Sequence, residues 1–219
     1  SMHLADLGAE VIKIESPPGG DVSRATGPYF LGEGDSQFFQ TFNLNKRSLR
    51  LDLKHPRGRE VFERLVRTAD AVMNNLRGDQ PAKLGIDYAT LGAMKPSIVC
   101  AHLSAYGRDN ERAAWPGYDY LMQAEAGFMS LTGEPEGPPA RFGLSMVDFM
   151  TGTVTAMGLL AAIVGALRTG QGRDVDVSLF DVALHQLSYP ATWFLNAGHE
   201  TTRLPRSAHP GTVPCQLYR

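Results

Sequence analysis

Short runs rich in β-branched residues recur along this chain, each followed by turn residues and then by helical periodicity. That alternation restricts the fold more than any other feature, because strands separated by helices build βαβ units and a mostly parallel sheet. Ala9 to Glu15 (AEVIKIE) reads as a strand running into the loop Ser16-Pro17-Pro18-Gly19-Gly20-Asp21. Residues 48 to 53 (SLRLDL) set Leu49, Leu51 and Leu53 on one face at period two, and Pro56 opens a helix carrying Val61, Phe62, Leu65, Val66 and Ala69. Asp70 to Asn74 is a further strand, Pro81 to Leu84 a short helix closed by Gly85, and Ser97 to Ser104 the next strand. Past Gly117 the helices lengthen: Asp119 to Leu131, Val147 to Leu167 and Val182 to Asn196, with a strand from Asp174 to Leu179 before the last.

Composition excludes several functions. With 21 basic and 23 acidic side chains the net charge is -2, and no long basic run supplies the electrostatic footprint of a nucleic-acid binder. The 23 glycines and 14 prolines are too few for a low-complexity chain. Cys100 and Cys215 stand far apart, without Cys or His at ligand spacing, so neither a disulfide framework nor a metal site is expected and a cytoplasmic location is. Met146 to Leu167 has nearly the length and apolar content of a membrane span, but Asp148 and its threonines and glycines favour a helix buried in a large domain, and no membrane partner is expected.

Both ends read as truncations. His3 to Gly8 looks like the last turn of a helix, a strange start for a domain that implies something missing upstream. Arg203 to Arg219, with Pro205, Pro210, Gly211 and Pro214, looks like a linker. The expected organisation is therefore one large domain over residues 3 to 200, followed by the start of a linker over 201 to 219.

G-x-G-x-x-G, G-x-x-x-x-G-K-Ser/Thr, H-E-x-x-H and G-x-S-x-G are all absent, which weakens dehydrogenase, P-loop and serine-hydrolase readings. What remains is polar residues at the expected carboxyl ends of strands, where open α/β sheets bind ligands. Arg24, then Lys46 and Arg47 after Asn43-Leu44-Asn45, then Arg77 after Asn74-Asn75 bring cations to three loops. Such loops suit a phosphorylated ligand, and they equally suit solvent. Asp148, in the first turn of the most apolar helix, reads either as an N-cap carboxylate or as an ionised nucleophile towards an activated carbonyl. Tyr118 and Asp119 open another helix, with Asp119 a natural cap. The six histidines form no ligand pattern.

The runs LADLGAEVIKIESPPGGDVSR, NLNKRSLRLDLKHPRGREVF, PGYDYLMQAEAGFMSLTGEPEGPP, GLSMVDFMTG and GRDVDVSLFDVAL closely resemble the class III CoA-transferases, the formyl-CoA transferase and carnitine CoA-transferase group, across practically the whole chain. The resemblance implies a Rossmann-like large domain whose mostly parallel sheet is flanked by helices, the small domain being absent, and an interlocked homodimer. It implies transfer of CoA from an acyl-CoA to a carboxylic acid acceptor through aspartyl mixed-anhydride and aspartyl-CoA thioester intermediates, with coenzyme A as substrate and no tightly bound cofactor. By the same resemblance Asp148 matches the catalytic aspartate. Arg24, Asn43, Leu44, Asn45, Lys46, Asn75, Leu76, Arg77 and Lys83 match CoA-contacting positions, and Tyr118 and Asp119 match a pair beside the thioester. The racemase branch carries histidine where this chain has Tyr118, which favours transfer over the alternative of acyl-CoA racemisation or epimerisation. A CoA-binding fragment without turnover is the third reading.

Overall fold

The computed structural model describes residues 1–218. It divides into two compact units: Ser1–Met73, Pro81–Ala101 and Ala156–Val175 form the first, and Asn74–Gln80, His102–Thr155 and residues from Asp176 onward form the second.

In the first unit, α1 (Met2–Asp6) ends before Gly8, whose φ of 98° is left-handed, and leads to β1 (Val11–Glu15). β1 pairs in parallel with β4 (Lys46–Arg50), placing Val11 opposite Lys46, Lys13 opposite Ser48 and Glu15 opposite Arg50. This strand lies a few residues earlier than its leucine alternation suggests. Ladder partners on β1 set the boundary, while Leu51 and Leu53 still pack into the core behind it. Between β1 and β4 come three elements with no readable sequence pattern: β2 (Phe30–Gly32), its antiparallel partner β3 (Asp35–Ser36) and α2 (Gln37–Asn43). The Ser36 hydroxyl caps α2 by accepting from Phe38 N at 3.1 Å.

Helix α3 (Pro56–Thr68) starts where Pro56 predicts, with His55 Nδ1 accepting from Arg57 N at 3.3 Å. Its Phe62 and Val66 bury against Ile86, Leu91, Ile98 and Cys100. β5 (Ala71–Asn74), α4 (Gln80–Leu84), α5 (Tyr88–Leu91) and β6 (Val99–Ser104) follow, and Gly85 adopts φ 60° where a helix stop is expected. β5, β6 and β7 (Arg173–Ser178) form a three-stranded sheet in that order. The class is mixed α/β, with parallel strand pairing and helical connections, as expected.

The second unit carries α6 (Asp119–Glu125), α7 (Phe128–Leu131), the start of α8 (Met146–Thr169), α9 (Leu179–Gln186) and α10 (Tyr189–Ala197). Its core is Met122, Ala126, Val147, Leu179 and Ala183. Two single helices of the sequence reading are each a pair. Gly127 at φ 93° separates α6 from α7, and Ser188 at φ 54° separates α9 from α10.

α8 departs further from expectation. Val147, Thr151, Thr155, Leu159 and Ala166 are buried, but Met157 is 64% and Leu167 77% exposed. By length and composition α8 could cross a membrane, and only 28% of its most apolar 18-residue stretch is buried. Apolar character on every side marks potential for burial, while actual burial depends on which sides meet another element.

Candidate functional site

The N-terminus of α8 has free backbone N–H groups that need acceptors. Capping was one of the two readings of Asp148, and in the structure the acceptor is supplied by Asp119, 28 residues before Val147. Asp119 Oδ2 accepts from Val147 N at 2.7 Å and from Asp148 N at 3.3 Å. Nor does Asp119 cap its own helix, whose N-cap residue is Tyr118 without a side-chain bond. Asp119 Oδ1 accepts from Gln123 Nε2 at 2.6 Å, so both oxygens are engaged, and the residue is 4% exposed.

With the cap supplied by Asp119, the Asp148 carboxylate makes no hydrogen bond or ion pair among the described residues, and its residue is exposed on one side. Desolvation by the protein on its inner side, followed by the neighbouring Asp119 charge, pushes its carboxyl up to about 6. Burial and the like charge of Asp119 thus act against ionisation of this group. At pH 7 the group remains about 90% ionised. It is a stronger base than an ordinary carboxylate and so a better nucleophile.

Tyr118 is 60% exposed and stacks on Tyr120 at 6.0 Å. Asn75, Leu76 and Arg77 form an exposed loop in the same unit. The loop is anchored from below: Asn74 Oδ1 accepts from Leu76 N at 3.3 Å, and Asn74 Nδ2 lies 2.8 Å from Nδ1 of the buried His102. Arg77 pairs with Asp79 at 3.2 Å.

The remaining site candidates lie in the first unit, where β1 and β4 present a polar face. Arg24 is not a free cation. Its Nε and Nη2 donate to Glu15 Oε2 and Oε1 at 2.7 and 2.8 Å, and its guanidinium lies 3.9 Å from the Phe39 ring centroid. Glu15, 3% exposed, also accepts from Asp21 N at 2.8 Å and Ser48 Oγ at 2.7 Å. The Arg24 bonds hold its carboxyl at about 2, against a smaller opposing effect of burial. Burial alone would raise Asp21, but Lys13 Nζ at 2.5 Å and the Ser23 contacts hold it at about 2.

Lys46 donates to Phe42 O at 2.6 Å and Asn43 Oδ1 at 3.2 Å. Burial, and then the Lys13 charge, lower its ammonium below the usual lysine range. Asn45 takes the left-handed φ of 60° that asparagine tolerates and bonds Asp6 Oδ1 at 2.9 Å. Leu44 is 56% exposed and Lys83 is exposed on α4. Thus Arg24, Asn43, Leu44, Asn45, Lys46 and Lys83 fall in one unit, and Asn75, Leu76, Arg77, Tyr118, Asp119 and Asp148 in the other.

Sequence reasoning passed over Glu15, Lys13 and Gln123. Gln123 had a usable sign, since it follows Asp119 by four residues on one helix face. Glu15 had none beyond closing a strand ahead of a basic loop. Two shallow surface concavities, one lined by Val61, Arg64, Leu65, Arg67 and Thr68 and one by Ala5, Gly8 to Val11, Asn45 and Arg47, do not include Asp148. Among the described residues no group of three or more His, Cys, Asp or Glu side chains could hold a metal ion.

The family model described as CoA-transferase family III matches residues 1–219. The succinate–glutarate CoA-transferase of Agrobacterium fabrum is 39% identical over 98% of this chain and 54% of its own length. The acetyl-CoA:oxalate CoA-transferase of Acetobacter aceti is 36% identical over 99% of this chain and 55% of its own. A CaiB/BaiF family protein from Brucella suis, known as a crystal structure, superposes with a TM-score of 0.90 at 36% identity, covering 98% of this chain and 57% of that one. The chain spans about half the length of the relatives it matches. A match of the whole chain to one family model, together with the shared fold at this identity, places it in CoA-transferase family III.

Proposed function

We propose that this chain carries the nucleophile of a CoA-transferase, Asp148. The observation behind the reading is the contrast between two neighbouring carboxylates: Asp119 is buried with both oxygens bonded, whereas Asp148 is unpaired, reachable from solvent and held at about 6. A raised, solvent-reachable carboxylate beside a fully bonded, buried one suits the reacting role, and its neighbour suits the structural one.

In the proposed cycle an Asp148 oxygen attacks the thioester carbonyl of a donor acyl-CoA. The C–S bond breaks, leaving an acyl-aspartyl anhydride and CoA thiolate. The thiolate then attacks the aspartyl carbonyl, which forms an aspartyl-CoA thioester and releases the donor carboxylate. An acceptor carboxylate attacks that same aspartyl carbonyl, giving a new anhydride and thiolate. Attack of the thiolate on the acceptor's acyl carbon yields the new acyl-CoA and restores the Asp148 carboxylate. One negative charge is conserved at every step, so no acid or base catalyst is needed for balance. Covalent stages of this kind lower the barrier of a poor direct exchange.

Lys46 with Asn43 to Asn45, Asn75 to Arg77 and Lys83 are the proposed contacts to CoA, on the strength of the family resemblance and their charge. Arg24 is assigned to the same loop system, with its guanidinium already committed to Glu15. The donor and acceptor are proposed to be short dicarboxylic acids, because relatives are named for succinate, glutarate, oxalate and mesaconate. The wide separation of Cys100 and Cys215 along the chain supports a cytoplasmic setting, and the exposed apolar side of α8 supports a homodimer.

The test incubates the complete protein with succinyl-CoA and then glutarate. Glutaryl-CoA should form, and mass spectrometry should find an adduct on the peptide containing Asp148. An adduct that persists in Asp148→Ala overturns the assignment. α-Deuterium exchange without transfer would indicate the racemase reaction instead. Because the carboxyl is raised and the anion reacts, the rate should be full above pH 7 and fall as pH drops through about 6.

A further inference from the structure

The reading of Asp148 as nucleophile leaves open what holds it in place, and the geometry points to Asp119 and Gln123 as a buried brace that positions it. This inference rests on that reading.

Asp148 belongs to the first turn of α8, so its placement follows from where that turn is held. Asp119 accepts from Val147 N and Asp148 N, gripping the turn by the backbone of the reacting residue and of the one before it. Gln123 holds the other half of the assembly. Its Nε2 donates to Asp119 Oδ1 at 2.6 Å and to Leu144 O at 3.3 Å, and its Oε1 accepts from Phe142 N at 2.8 Å. The segment entering α8 and the first turn of α8 are therefore tied to one face of α6 through two side chains. Gln123 and Val147 are fully buried, so the bonds from Gln123 Nε2 and Val147 N to Asp119 are shut off from water.

The brace also acts through charge. Of the charged and titratable groups on the packed helices, Glu125 is tied to Tyr106 and Arg112, Asp181 to Ser178, and His185 closes α9. Asp119 is the one whose charge acts on Asp148 among the described residues. Asp119 is 4% exposed with both oxygens bonded inside the protein, and it works through Asp148 as a positioning residue.

Asp119→Asn separates these functions from simple packing. Its remaining oxygen can still accept from Val147 N, while its amide meets the Gln123 amide donor to donor. Expected in the complete protein are a drop in kcat of about 10- to 100-fold for a displaced nucleophile, little change in KM for succinyl-CoA, and an acid limb moved from about pH 6 towards lower pH. Gln123→Met keeps the charge and the volume. It should lower kcat by about 10-fold with the acid limb still near pH 6.

A folded Asp119→Asn protein with kcat and acid limb unchanged overturns the inference. So does a raised KM at unchanged kcat, which would make Asp119 a direct substrate contact. If Asp119→Asn does not fold, Gln123→Met decides: unchanged kcat in a folded protein refutes the brace. Asp148→Ala run in parallel separates the two readings, because retained activity there removes the nucleophile assignment whatever Asp119 does.

Discussion

Replacing Glu15 by glutamine removes one charge from a buried cluster and little else. Glu15 receives two bonds from Arg24, one from Asp21 N and one from Ser48 Oγ. A glutamine amide placed at the Oε1 position lets Ser48 reverse its hydroxyl, so the net loss is the bond to Arg24 Nη2 and the charge pairing. The depression of the carboxyl from 4.5 to about 2 corresponds to about 3 kcal/mol. The Arg24 side chain is 23% exposed, and discounting for that solvent screening leaves about 2 kcal/mol.

The sign with pH follows from linkage. A depressed carboxyl stabilises fully above its unfolded value and loses that contribution as pH falls through its folded value. The gap between wild type and Glu15→Gln should therefore be full at pH 7 and shrink between pH 4.5 and about 2, to less than about half at pH 3. Urea unfolding followed by circular dichroism measures it. Fluorescence is a poor probe because Trp115 and Trp193 both lie in the other unit. An equal gap at pH 3 and pH 7, or one below about 0.5 kcal/mol at pH 7, would refute the ion-pair account.

Gly20→Ala should lower the melting temperature more than Gly8→Ala. Both backbones are left-handed, at φ +82° and +98°, but only at Gly20 does a Cβ land 2.6 Å from Glu15 Oε2, with nothing within 4 Å at Gly8. The shared backbone cost is about 1–2 kcal/mol, and equal shifts for the two variants would show that the Glu15 carboxylate yields freely. Ser178→Ala should cost about 1 kcal/mol, because its buried hydroxyl caps α9 by accepting from Asp181 N at 3.0 Å; denaturant midpoints unchanged within error would contradict that role.

Elements governed by neighbours in the chain were readable. Pro56 opens α3, Gly85 closes α4 and the β-branched run before Ser16 is β1, because ring geometry, left-handed glycine and side-chain branching act within a few residues. The break at Gly127 and the Pro190 that sits in the first turn of α10 were equally local signs, passed over when each stretch was read as one helix. β2, β3 and α2 carried no such sign, since their shortness and adjacent phenylalanines fit no period.

The site divides along the same line. That an aspartate stands at the start of an apolar helix, and that basic residues follow strands, is plain from residue order. Which carboxylate caps that helix and which is left free depends on a bond spanning 28 residues, and whether Arg24 is a free cation depends on a glutamate nine positions away, turned inward by a parallel strand. Short-range sterics act along the chain and leave a pattern in it. Desolvation and hydrogen bonding act through space, so the division of labour between Asp119 and Asp148 arises when the chain closes on itself.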